Sequence, residues 1–407
     1  MRTGAKPQGR RYYRPIMLIA AMIVITAAST RSQATQTDTC GGQMITIPFD
    51  DVMPGNVFFC SIAEAFFSGL SNGTTATAYS PSANVPREQM AAFVTRTMDQ
   101  SLKRGSNRAA LNQYWTTQGA NNLALTTVGN GPQLVQSDGA DVWVANSGDS
   151  TVSRVRASDG KLLETWTDAT DAVGVLCAMG KVFVIGQTDP GRLYQIDPTM
   201  AAGAVSTVSS ALGSSPQGIG YDGQRIWTAN FGASVSIITL NPTGVTNVST
   251  GFTDPIGVIY DGANIWVTDN VSGSVDKLRK LDSSGGIMLS VDVGSFPLFP
   301  AFDGTNIWVP NFNSNSVSVV RATGGFAGTV LATLSGNGLN APLAAAFDGE
   351  RILVTNFNGN SVSLWKASDF TPIGTFLTGG ISNPYGACSD GLNFWITLNN
   401  TGKLARF

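Results

Sequence analysis

Any chemistry in this chain has to proceed without histidine, because its 407 residues contain none. That removes Ser-His-Asp and Cys-His nucleophilic catalysis, histidine metal sites and the commonest general base. Carboxylates remain. Glutamate is confined to Glu64, Glu88, Glu164 and Glu350. No paired-carboxylate spacing stands out, although Asp254 and Asp269 can converge in a folded chain. There is no phosphate-binding glycine loop, CxxC pair, calcium loop or nucleophile elbow. No catalytic residue, metal or cofactor is therefore expected. What the chain offers instead is amides and rings. Asn146, Asn230 with Phe231, Asp269, Asn311 with Phe312, and Asn356 with Phe357 recur at one repeat position. A ring of such residues can hold a neutral glycan by amide hydrogen bonds and stacking. The competing reading is structural: Asn forms turns by bonding its own backbone, and would then recur with the fold.

The elements that carry these residues come from a repeated phrase. It runs from Pro216 through Asp222-Gly223, Trp227 and Asn230 to Ser234-Val235-Ser236. It recurs from Pro255, Pro297 and Pro342, and Pro132 and Pro384 open two more copies. A worn seventh copy runs from Ala172 through Phe183. The aligned apolar position is Trp143, Phe183, Trp227, Trp266, Trp308, Leu353 and Trp395. The period lies near 42 residues, which matches a four-stranded propeller blade. A helical solenoid of similar period would need apolar residues at 3.6 spacing, whereas these segments alternate or are β-branched and are broken by Gly and Asp-Gly. Each copy decomposes into an inner strand, an Asp-Gly turn, a Trp-bearing second strand, a third strand and a rim strand. The last copy has only three strands. Residues 123–128 supply the fourth, which would join the ends of the domain and remove an exposed edge. The fold class is mainly β: a seven-bladed β-propeller over 123–407.

The phrases Trp227-Thr228-Ala229-Asn230 with Ser234-Val235-Ser236, and Leu353-Val354-Thr355-Asn356 with Ser361-Val362-Ser363, resemble the YVTN β-propeller repeat. The resemblance covers residues 123–407. It implies the propeller fold and, for function, an envelope protein, a binding scaffold or occasionally an enzyme. The streptogramin lyase type of propeller relies on histidine, so its activity is set aside here.

Residues 45–100 differ in kind. Phe49-Asp50-Asp51-Val52 precedes a run in which Phe59, Ile62, Ala63, Phe66 and Phe67 share one helical face. After Gly69 and Gly73, Tyr79-Ser80-Pro81 reads as an extended turn, and Pro86-Arg87-Glu88-Gln89 opens a second helix. This order resembles one S-layer homology (SLH) repeat and implies a small α-helical module before the propeller. Such repeats hold surface proteins on cell-wall polysaccharide. Carried over by position, that implicates Asp51, Arg87 and Glu88 in glycan contact. Pro86 stands where the family has Thr or Ser, and only one repeat is present where three commonly form a pocket. The module would then either bring copies together as a homo-oligomer or serve as a packing or sorting domain. Residues 101–122 read as a linker.

Residues 1–34 read as a signal peptide: a basic start, an apolar run over Ile16–Ala28 too short to span a bilayer, and small residues before a cut after Ala34. No later segment is long and apolar enough to be a transmembrane helix. Six of the 25 basic residues lie in 1–34, which hold no acid. The remainder carries 19 basic and 27 acidic residues, a net −8, which opposes nucleic-acid binding. Export permits disulfides, and Cys40 and Cys60 are close enough in sequence to bridge, whereas Cys177 and Cys388 read as two buried thiols. The expectation is an exported protein of the cell surface, cell wall or periplasm. Its propeller binds a ligand or protein, its SLH-like module attaches or assembles it, and it is not an enzyme. Its partner would be cell-wall polysaccharide or an envelope protein. The alternatives are a histidine-free lyase or hydrolase, and a structural envelope protein.

Overall fold

The computed structural model describes residues 35–40, 43–67, 71, 73–86, 90, 124–271 and 273–407. The expected signal peptide (1–34), the linker (101–122), and Arg87 and Glu88 lie outside them. Among the described residues no helix is long and apolar enough to cross a membrane. The chain divides into two units, separated near residue 97.

The larger unit is a seven-bladed propeller, each blade a four-stranded antiparallel sheet. Blades 1 to 6 span 132–166, 172–212, 216–248, 254–292, 301–334 and 342–377. Blade 7 takes three strands from 384–406 and its outermost from Ala124–Thr127, which pairs with Lys403–Arg406. The two ends of the domain are thus hydrogen-bonded in one sheet, and neither is left as a free edge.

The repeated Trp residues explain the spacing of the phrase. Trp143, Trp227, Trp266, Trp308 and Trp395 are all buried between blades. A buried indole must place its N–H on an acceptor. The acceptor is the Asp of the preceding Asp-Gly turn, five residues earlier. Asp138, Asp222, Asp261, Asp303 and Asp390 each accept the indole N–H at 2.7–2.9 Å through Oδ2. Their Oδ1 atoms accept the two backbone N–H groups that close the turn, as Asp303 does from Thr305 (2.8 Å) and Asn306 (2.6 Å). The Gly after each of these Asp residues, such as Gly223 at φ +93° and Gly304 at φ +94°, holds the left-handed conformation that lets the turn reverse. Cations cover several of the rings: Arg154 lies 5.1 Å from the Trp143 centroid, Arg225 5.0 Å from Trp227 and Lys280 5.1 Å from Trp266.

Adjacent blades are tied at the axis as well. The hydroxyls of Thr268, Thr355 and Thr397 donate to the carbonyls of Leu298, Tyr385 and Gln133 in the next blade. They also accept the amides of Gly257, Ala344 and Gly386 in their own inner strand. A Cβ at Gly218, Gly257 or Gly386 would collide with a backbone carbonyl of the following blade, so these three strands need glycine there, whereas blades 1, 5 and 6 carry Leu134, Phe299 and Ala344.

In the smaller unit the expected small α-helical module over 45–100 is described only in part, since most of its second helix, opening at Pro86, lies outside the described residues. The unit's described part includes an antiparallel hairpin, Gln36–Cys40 with Gln43–Ile47, that the sequence analysis did not identify. The helix Phe59–Phe67 packs against it. Its core is Ile47, Phe49, Val52, Phe59, Ile62 and Ala63, with Phe66 and Tyr79 at 5.1 and 5.3 Å from the Phe49 ring. A Cys40–Cys60 disulfide joins hairpin to helix.

Two outcomes follow from this architecture. Asp303→Ala orphans the Trp308 indole and the turn amides, and is expected to cost about 3 kcal/mol, read as a lowered denaturant midpoint. Asp303→Asn, which keeps an acceptor, should cost less; equal and negligible losses would remove the clasp from its structural role. Reducing the disulfide, whose cysteines are 20 residues apart, is expected to destabilise the smaller unit by about 3 kcal/mol. Faster amide exchange at Ile47 and Ile62 under reductant reports it.

Candidate functional site

With the Asp-Gly acids used inside the blades, the opposite face is where binding groups can gather. It is formed by the loops between strands two and three and by the loops that enter each blade. Asn146, Asn230, Asn311 and Asn356 close the second strand there and are fully buried. Each Nδ2 donates to two hydroxyls of the third strand: Thr151 and Ser153, Ser234 and Ser236, Ser316 and Ser318, and Ser361 and Ser363, at 2.8–3.2 Å. The second of these hydroxyls accepts the amide of Gly129, Gly213 or Gly294 on the incoming loop in three blades. Of the two readings of these asparagines, their geometry matches the structural one. Their amide nitrogens face the sheet, not solvent.

In blade 4 the same position is Asp269, also fully buried. Its Oδ1 accepts the amides of Thr253 and Asp254 at 3.0 Å, and its Oδ2 pairs with Arg279 at 3.0 Å. Asp254 therefore lies beside Asp269. Burial, and secondarily that neighbour's charge, push the Asp254 carboxyl above the usual carboxylate range.

The residue after each asparagine behaves differently. Phe231, Phe312 and Phe357 are held through the backbone alone: their N–H groups donate to the carbonyls of Ser215, Phe296 and Ala341 at 2.9–3.0 Å. Their rings are free to meet the residues that follow the blade-opening prolines, namely Gln217, Ile256, Leu298, Leu343 and Tyr385. Together with Phe296 and Phe299 these side chains line a pocket of about 290 Å³ that opens to solvent. The rings are in contact: Phe296–Phe312 at 6.0 Å, Phe312–Phe357 at 6.3 Å, Phe357–Tyr385 at 6.2 Å and Phe299–Tyr385 at 6.1 Å. The Thr268 and Thr355 hydroxyls that hold the Leu298 and Tyr385 carbonyls fix this wall in place.

Among the described residues, no charged side chain lines the pocket. Its polar atoms at side-chain heads are the Gln217 amide and the Tyr385 hydroxyl, and neither makes a hydrogen bond within the described residues. Burial pushes the Tyr385 phenol up to about 12, so it stays a neutral donor. Asp254 and Asp269 are not part of the lining.

The pocket joins Phe231, Phe312 and Phe357 of the sequence candidates and omits the asparagines and Asp269. Sequence reasoning missed Phe296, Phe299, Tyr385 and Gln217. A usable signal existed, because the residue just after the opening proline recurs in register: Gln133, Gln217, Ile256, Leu298, Leu343 and Tyr385. In the smaller unit, both oxygens of the Asp51 carboxylate accept backbone amides, of Tyr79 at 2.8 Å and Ser80 at 2.7 Å. Asp51 thereby staples the loop that leads away from the helix. Cys177 and Cys388 are free thiols on the inner strands of blades 2 and 7, and burial raises both, Cys177 to about 12.

No protein-family model matches the chain, and no characterised protein matches it by sequence. Solved structures match its fold. A streptogramin B lyase structure aligns with a TM-score of 0.58 at 16% identity, over 71% of this chain and 99% of that one. Hydrazine synthase of Kuenenia stuttgartiensis aligns with a TM-score of 0.57 at 16% identity, over 69% of this chain and 97% of that one. At such identities the likeness concerns the propeller fold and no further.

The raised Asp254 carboxyl gives a signed expectation. A carboxyl raised in the folded state binds its proton more tightly there than in the unfolded chain. Stability is therefore lost as pH rises from the ordinary 3.8 through the raised value, and stays lost above it. Asp254→Asn is expected to raise the melting temperature at pH 7, with the gain vanishing below about pH 4. A gain that is the same at pH 3.5 and pH 7 would mean that the titration of Asp254 is not its source.

Proposed function

We propose that the protein is an exported, non-catalytic binding propeller of the cell envelope, whose blades are of the YVTN type. In this reading the loop face that carries the aromatic pocket engages the ligand, and the SLH-like smaller unit attaches or assembles the protein. One observation carries the binding part: the pocket supplies contact area and two neutral polar heads, with no carboxylate, amine or imidazole to move a proton. The basic-then-apolar N-terminus and the Cys40–Cys60 disulfide support an oxidising compartment outside the cytoplasm.

A second reading, a lyase or hydrolase that works with carboxylates, draws on the contiguity of Asp254 and Asp269 and the raised carboxyl of Asp254. Against it, Asp269 is fully buried and ion-paired with Arg279. An acid so held reaches no substrate.

Both readings meet in one experiment. The chain from residue 35 is mixed with purified cell-wall sacculi, sedimented, and the supernatant analysed for released fragments. Binding without release, reduced at least about tenfold by Arg87→Ala, is the expected result; a tenfold change corresponds to about 1.4 kcal/mol. Released sugar or peptide that disappears in Asp254→Asn would favour the enzyme. A chain that stays in the supernatant would overturn attachment to the wall.

A further inference from the structure

Phe296 stands where the other blades hold something smaller or more flexible. The residue that precedes the opening proline, or Ala172 in blade 2, takes a left-handed conformation at Gly131, Asp171, Ser215, Phe296, Ala341 and Asn383, with φ between +47° and +58°. Glycine, asparagine and aspartate adopt it at little cost, and a bulky side chain does not. A phenylalanine at φ +58° is therefore a local strain that the fold does not need, because five other blades form the same turn without an aromatic. Strain of this kind persists at sites where the side chain does something else. Here the ring forms a wall of the pocket, 6.0 Å from Phe312.

The chemistry of the lining restricts what fits. A sugar ring brings several hydroxyls, and each one buried without a partner costs roughly 1–3 kcal/mol. Two polar heads cannot satisfy them. An anion or cation would be desolvated with no opposite charge in the wall. A cation held by rings alone prefers tryptophan or tyrosine, and here the rings are chiefly Phe. A volume of about 290 Å³ is about twice the roughly 150 Å³ apolar cavity that accepts benzene. That leaves room for one or two fused rings.

Building on the binding reading above, we infer that this pocket takes a neutral, planar aromatic group of a small molecule, held against Phe296, Phe312 and Phe357, with its polar substituent on the Tyr385 hydroxyl and the Gln217 amide. Tyr385 donates and the Gln217 amide both donates and accepts, so a phenol or an indole N–H is matched.

The test uses the chain from residue 35, titrated calorimetrically with indole and phenol, and with benzoate, benzyltrimethylammonium and glucose as contrasts. Saturable binding of the two neutral aromatics, at least tenfold tighter than the contrasts, is expected. Phe296→Gly should weaken indole at least tenfold while leaving the melting temperature equal to or above the parent's. A merely structural phenylalanine would give the reverse, a lower melting temperature with binding kept. Phe312→Leu, which fills similar space without a ring, serves as the second variant and should weaken indole several-fold. Binding of benzoate, the ammonium or glucose as tight as that of indole would overturn the assignment, as would indole binding that neither variant alters. If sacculi sediment the protein but indole does not bind, the ligand class is wrong and the binding scaffold stands. If indole binds and sacculi do not, the envelope reading fails and the pocket remains.

Discussion

A tryptophan buried between two sheets sets the terms for everything else in this propeller. Its ring provides the apolar mass that fills the gap between blades, but its N–H cannot be left without an acceptor. The chain solves this within six residues, by placing an aspartate in the turn before the strand that carries the ring. The same carboxylate closes the turn and receives the indole. Turn formation, strand register and interblade packing thereby depend on one side chain, which is why Asp, Gly and Trp recur together. Where one partner changes, the others change with it. Blade 6 has Leu353 in place of the indole, and there Asp348 turns to Arg351, binding its Nε at 2.8 Å. Blade 2 has Phe183, and its turn carries Met179-Gly180 with no aspartate.

That dependence also made the fold legible in the sequence. Seven blades could be counted because the clasp needs fixed residue types at fixed offsets. The last copy shows only three strands in its sequence, and the chain completes the sheet from Ala124–Thr127. The Thr ties at the axis were not legible, since a threonine in a strand reads as β propensity and the carbonyl it reaches belongs to another blade. The smaller unit was legible only in part. Phe59, Ile62 and Ala63 mark the helix by periodicity, whereas the pairing of Gln36–Cys40 with Gln43–Ile47 had a signal in the intervening Gly41-Gly42 that went unused, because the first run carries no apolar alternation.

The site was harder to see, for a physical reason. Asn146, Asn230, Asn311 and Asn356 recur at one position, where the other blades have Gly186, Asp269 and Leu398, and recurrence in a repeat protein marks what the blades share. Their amides serve the Ser-x-Ser strand beside them. The next position is the one that varies, and three of its residues line the pocket: it is Ser147, Gln187, Phe231, Asn270, Phe312, Phe357 or Asn399 around the ring. Variation there looked like noise beside the recurring asparagines.

The freedom of that position comes from how it is anchored. In blades 1, 2, 3, 5, 6 and 7 its N–H donates to the carbonyl just ahead of the inner strand, and no side-chain atom takes part in that bond. Serine, glutamine, phenylalanine or asparagine can occupy it with the same backbone. Blade 4 departs from this, since Asp269 there captures the incoming amides itself. The scaffold thus separates two tasks by chemistry. Side-chain hydrogen bonds tie the strands and the incoming loops, and a backbone hydrogen bond alone fixes the position whose side chain lines the pocket. A symmetric fold can then carry an asymmetric pocket, because three phenylalanines on one side of the ring disturb none of the bonds that keep the ring closed.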